Sequence, residues 1–170
     1  MRKILVTLLI SIGFSFTHTN MENTELSHVR DIFHKPVSKK NIEEIINLPS
    51  DKYFSSTIKA YQAVSKTMMA KYVTSPFSKL GYFNEGKKEL ETIIASDQNL
   101  ETVYLRLLIQ LNVPSLLNYY SKIETDLDYF CVNFANSPID QNTKELFKET
   151  LLKTEKIGEY SERKIKLQHL

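Results

Sequence analysis

Leu100-Glu101-Thr102-Val103-Tyr104-Leu105-Arg106-Leu107-Leu108-Ile109-Gln110-Leu111 is the stretch on which the reading of the chain turns. Wound as a helix it shows apolar side chains on every side, from Leu100, Val103, Tyr104 and Leu105 to Leu107, Leu108, Ile109 and Leu111. A helix that is hydrophobic all round must be buried. It is too short for the roughly 20 residues needed to cross a bilayer, so it belongs at the centre of a soluble bundle.

Asp97-Gln98-Asn99 forms a polar break before this helix, and Asn112 to Pro114 ends it. Upstream, residues 55–73 carry Ile58, Tyr61, Ala63, Val64, Met68, Met69 and Tyr72 at spacings of three and four, which marks an amphipathic helix. Ser75 is a good N-cap before a first-turn Pro76, and residues 77–95 continue with Phe77, Leu80, Phe83, Leu90, Ile93 and Ile94 as the expected apolar stripe. Shorter helices are expected over 25–34 and 41–48, the latter with Glu43 and Glu44 in its first turn, where the helix dipole favours acids. Downstream the pattern predicts a short helix near 115–119, then 122–134 with Ile123, Leu127, Phe130, Cys131 and Phe134 inward. A pair follows over 142–153, with Leu146, Phe147, Leu151 and Leu152, and 160–167.

Only four glycines and five prolines occur, and no Asn-Gly or Asp-Gly hairpin signal separates alternating apolar and polar runs. Pro36, Pro49, Pro76, Pro114 and Pro138 fall between the helical segments, as expected of residues that push their predecessor out of the α region. The expected fold is therefore all-α, a compact bundle of about six to eight helices.

Arg2 and Lys3 precede an apolar run over residues 4–16 that stops at Thr17-His18-Thr19-Asn20, the layout of a secretory leader. Residues 1–19 are expected to be a signal peptide, cut between Phe16 and Asn20, with 20–170 a single helical domain in the periplasm or outside the cell. The one cysteine, Cys131, is far from the leader and has no partner for a disulfide, so neither a lipid anchor nor a covalent staple is expected. A domain of about 150 residues buries roughly 70% of its unfolded surface and does without either.

The balance of 22 Lys and Arg against 20 Asp and Glu, with no basic stripe, speaks against nucleic acid as partner. Arg163, Lys164 and Lys166 read as a solvated helix end. No pattern of His18, His28, His34 and His169 gives two histidines at i,i+4, so no metal site is expected. Cys131 among Leu127, Phe130 and Phe134 reads as a buried, inert thiol, and Glu124, Asp126 and Asp128 as acids of a first helical turn. No nucleophile elbow or phosphate loop is present, so no catalytic residue or cofactor is expected.

Arg106 breaks this pattern, with Gln110 one turn later in the most apolar helix. A buried guanidinium must pair or bind an anion. Either it reaches a glutamate of a neighbouring helix or snorkels to water along the bundle edge, or it heads a ligand pocket with Gln110 beside it and Tyr82, Tyr119 and Tyr120 as amphipathic walls.

Over residues 80–110, Leu80-Gly81-x-Phe83, Gly86, Leu90, Ile93-Ile94, the Asp97-Gln98-Asn99 turn and Tyr104 resemble the second helix of a tetratricopeptide unit running into the next. The resemblance implies repeat-like helix pairs within the bundle, a protein-binding role and no catalytic residues. The functional expectation is an exported binding or scaffold domain of the bacterial envelope, holding a protein or small ligand and keeping no membrane anchor after cleavage. The alternatives are an envelope enzyme or enzyme accessory with a polar pocket at Arg106, and a structural helical protein without a ligand.

Overall fold

A computed structural model describes residues 24–36, 38–49 and 55–170; the leader expected over residues 1–19 and its expected cut site lie outside the described residues. Helix α1 (24–34) leads to α2 (Lys39–Ile46), α3 (Ser56–Met69), α4 (Pro76–Ser96), α5 (Leu100–Asn112), α6 (Ile123–Asn133), α7 (Gln141–Leu152) and α8 (Ser161–Gln168). Single turns of tighter helix occupy Ala70–Tyr72, Ser115–Leu117 and Glu155–Glu159, and the described residues contain no strand. The fold is a compact all-α bundle.

Helix α5 is its axis, packed against α3, α4, α6 and α7. Every residue of α5 is buried except Leu108, which is half-buried, and Asn112, which is exposed. Around it the buried side chains form one cluster that runs from Val29 in α1 to Leu167 in α8. The central position follows from the apolar circumference, since a helix with no polar face loses free energy wherever it meets water.

Local chemistry starts the helices where the sequence places them. Ser38, Ser55, Ser75 and Asp140 cap α2, α3, α4 and α7, each accepting from the backbone N–H three residues on. Asn99 and Thr102 cap α5 reciprocally: Asn99 Oδ1 accepts from the Thr102 N–H at 3.0 Å, and Thr102 Oγ1 accepts from the Asn99 N–H at 3.0 Å.

The closest helix pair is α3 and α4, and Gly86 makes it possible. A Cβ on Gly86 would stand 2.3 Å from the Ala63 carbonyl oxygen and 2.8 Å from the Thr67 nitrogen, so the two backbones approach where only hydrogen fits.

Some expected core positions lie elsewhere. Phe77 is 89% and Leu80 47% exposed. Helix α4 has 21 residues against 14 in α3 and 13 in α5. That is about 30 Å of helix against about 20 Å, so its first turns overhang the core. Leu146 of α7 is 41% exposed at the rim of a cleft. Cys131 is half-buried beside the inward stripe of Ile123, Leu127, Phe130 and Phe134, and burial raises its thiol pKa. Asp126 is in the first turn of α6 as expected, yet it is buried and faces α5.

Candidate ligand cleft and its supporting networks

Arg106 leaves α5 into a space already occupied by protein carboxylates. Its Nε and Nη2 donate to the two oxygens of Asp126 at 2.7 and 2.6 Å, and its Nη1 donates to Glu91 of α4 at 2.9 Å. Gln110 donates to the same Asp126 at 3.0 Å and accepts from the Lys122 N–H at 3.1 Å. The Tyr119 hydroxyl donates to Glu91 at 2.5 Å, and burial together with that carboxylate raises the phenol pKa. Three of the five residues expected at a pocket, Arg106, Gln110 and Tyr119, thus belong to one network joining α4, α5 and α6. Tyr82 is half-buried on α4 and Tyr120 is 50% exposed, both outside these hydrogen bonds.

A second network lies on another side of α5. Arg30 of α1 donates through Nε and Nη2 to Glu101 at 2.7 and 2.5 Å, and the Tyr61 hydroxyl of α3 donates to the same carboxylate at 2.8 Å. Glu101 and Tyr61 are buried, and burial followed by the nearby carboxylate holds the Tyr61 phenol well above its ordinary pKa. Sequence reasoning missed this site because an acid in a first turn has a sufficient explanation in the helix dipole.

Helices α1, α3, α5 and α7 leave a cleft of about 580 Å³ between them. Phe33, Val64, Met68, Leu108, Ile109, Val113 and Leu146 give it apolar walls. The ring of His34 and the phenol of Tyr104 reach it from its inner side, while Lys35 and Lys71 also line it. The volume falls within the roughly 300–1,000 Å³ of small-molecule sites, and the pattern of apolar walls with a few polar groups is theirs as well.

The inner side is built of stacked rings joined by hydrogen bonds. Tyr104 stacks on Phe147 with centroids 4.0 Å apart, and His34 stacks on Phe147 at 5.7 Å. His34 Nδ1 is 2.8 Å from the Arg30 carbonyl oxygen, which can only accept, so Nδ1 carries the proton. Nε2 then accepts from the Tyr104 hydroxyl at 2.9 Å. Burial lowers the His34 pKa, with the Arg30 charge assisting and the Arg30 carbonyl and Glu101 opposing, which agrees with a neutral ring. Burial raises the pKa of Tyr104. The available signal was Tyr104 itself: a phenol inside an all-apolar helix has to find a hydrogen-bond partner.

A larger and more polar cleft of about 800 Å³ opens near Arg30, Asn99, Tyr129, Asn133 and Asp140. Among the described residues its charged groups are Arg30 and Glu101, which pair with each other, and Asp140, which caps α7. Among the described residues no cluster of His, Cys, Asp and Glu is arranged to hold a metal ion, and no helix is long and apolar enough to cross a membrane. No protein-family model, curated protein or solved structure matches the chain.

Proposed function

We propose that the chain is an exported helical binding module of the bacterial envelope that holds a small, mostly apolar ligand in the cleft beside His34 and Tyr104, and that it works by binding without catalysing a reaction. The observation that carries this reading is the cleft: apolar walls, a stacked aromatic inner side, and lining residues drawn from four packed helices. Sites built on packed helices keep their shape, which suits a protein that binds without rearranging. Export rests on the leader pattern over residues 1–19. The buried Glu101 supports the same reading, because its pair with Arg30 holds α1 to α5, two of the four helices that form the walls.

The test is a titration of the protein with the neutral fluorophore N-phenylnaphthylamine, followed by displacement with small apolar compounds. The expected result is saturable binding that Met68→Trp or Leu108→Phe abolishes by filling the cleft, with far-ultraviolet circular dichroism unchanged. Undiminished binding in both filled variants overturns the reading.

A second reading, a protein-docking surface, is favoured by the exposed apolar side chains Phe77 (89%) and Leu116 (85%). The edge contact of Phe83 with Tyr119, centroids 6.0 Å apart, brings the 115–120 segment beside α4. Loss of a crosslinked partner on Phe77→Ser, with fluorophore binding intact, would favour it over the cleft.

A further inference from the structure

Resting on the cleft reading above, we infer that the ligand is a single-chain amphipathic carboxylate, held with its hydrocarbon tail inside the cleft and its carboxylate against Lys71 at the mouth. The interior is the first part of the argument, because its hydrogen-bond donors are already committed. Tyr104 donates to His34 at 2.9 Å, Thr67 to the Val64 carbonyl at 2.7 Å, and Thr150 to the Leu146 carbonyl at 2.7 Å. A polar head placed there would lose its hydration and gain little, so the interior suits hydrocarbon.

The mouth is the second part. Among the described residues, Lys35 and Lys71 are the charged groups lining the cleft, and no Asp or Glu is among them. Lys35 is already neutralised in part by Asp31, 2.6 Å from its Nζ. Lys71 is exposed and has no ion-pair partner among the described residues, so its ammonium keeps three donors for an incoming anion.

One effect opposes this. Helices α1 and α3 end close to the mouth and α5 ends at Asn112, and carbonyl ends carry about half a negative elementary charge each. Several of those carbonyls are capped, however: the Arg30 carbonyl by His34, that of Ile32 by the Lys35 N–H, and that of Leu108 by Asn112. The unpaired ammonium of Lys71, with the partly neutralised one of Lys35, stands against what is left. A cleft of about 580 Å³ with apolar walls has room for a hydrocarbon tail, and the exposed Lys71 keeps the head at water.

The experiment is displacement of N-phenylnaphthylamine from the full protein by decanoate, decanol and decylamine, which share one tail. Decanoate is expected to displace best, about fivefold ahead of decanol, the size of a solvent-accessible ion pair. Lys71→Gln is expected to remove that advantage and leave decanol unchanged; since Lys71 is exposed, the variant should fold. Equal displacement by all three compounds, or a preference for decylamine, overturns the carboxylate while the cleft reading stands. Failure of the fluorophore to bind at all takes both away. Binding to anionic phospholipid vesicles that decanoate does not compete overturns the free carboxylate in favour of a membrane surface.

Discussion

Arg106 on α5 and Asp126 on α6 face each other through two parallel hydrogen bonds of 2.7 and 2.6 Å, both side chains all but hidden from water. A pair of this kind is costly to break by half, because the charge left behind stays buried. Arg106→Met alone is therefore expected to destabilise the protein by about 3–5 kcal/mol in urea unfolding. The double change Arg106→Met with Asp126→Leu is expected to recover most of that loss, short of the amide contact of Gln110 with Asp126. A single variant as stable as wild type would mean that water reaches Asp126.

The approach of α3 and α4 at Gly86 makes the opposite prediction from helix propensity. Gly86→Ala has to push a Cβ into the Ala63 carbonyl and the Thr67 backbone. An expected loss of about 1–3 kcal/mol from overpacking follows. Gly81, on the same helix with nothing within 4 Å of an added Cβ, is the control. Gly81→Ala should gain up to about 1 kcal/mol from propensity alone. Equal responses at the two sites in thermal unfolding would remove the steric account of Gly86.

Adjacent leucines of α5 should also separate. Leu107 is fully buried, and Leu107→Ala is expected to cost about 2–5 kcal/mol. Leu108 is half-buried at the cleft, where water can enter the space it vacates, so Leu108→Ala should cost distinctly less and instead weaken fluorophore binding. Chemical unfolding of the two variants side by side decides this, and equal costs would place the cleft wall in the closed core.

His34 supplies a pH dependence whose sign is fixed. Its folded pKa is held below the ordinary 6.5, so under that pH the unfolded chain binds a proton that the folded chain refuses. The contribution is complete above 6.5 and is lost as pH falls from 6.5 toward the folded value. His34→Gln is expected to be less stable at neutral pH, having lost the stacked ring, yet to show a shallower fall in stability over the mildly acid range. Melting temperatures across that range check it; parallel curves for the two proteins would mean that His34 titrates normally in the fold.

The helices were legible in the sequence because their signals are local. Periodicity, the Ser75 cap, the polar break at Asp97-Gln98-Asn99 and the punctuating prolines act within a few residues, and α5 declares its central place by its apolar circumference. Arg106 was legible as a residue that had to pair, bind an anion or reach water, since an unpaired buried guanidinium is too costly to keep. Which partner it finds depends on how α6 docks, and in isolation Asp126 is indistinguishable from the dipole acid Glu124 beside it. Phe77 and Leu80 follow the helical period of α4, but their exposure is set by the shorter lengths of the helices packed against it. The cleft had no sequence signature at all. It is a gap left where four helices diverge, lined by residues far apart in the chain, and the bond from Tyr104 to His34 exists only once α1 has packed on α5. Local interactions therefore determined where the helices begin and end, while burial, ion pairing and the shape of the cleft were decided by packing between helices, which no single segment encodes.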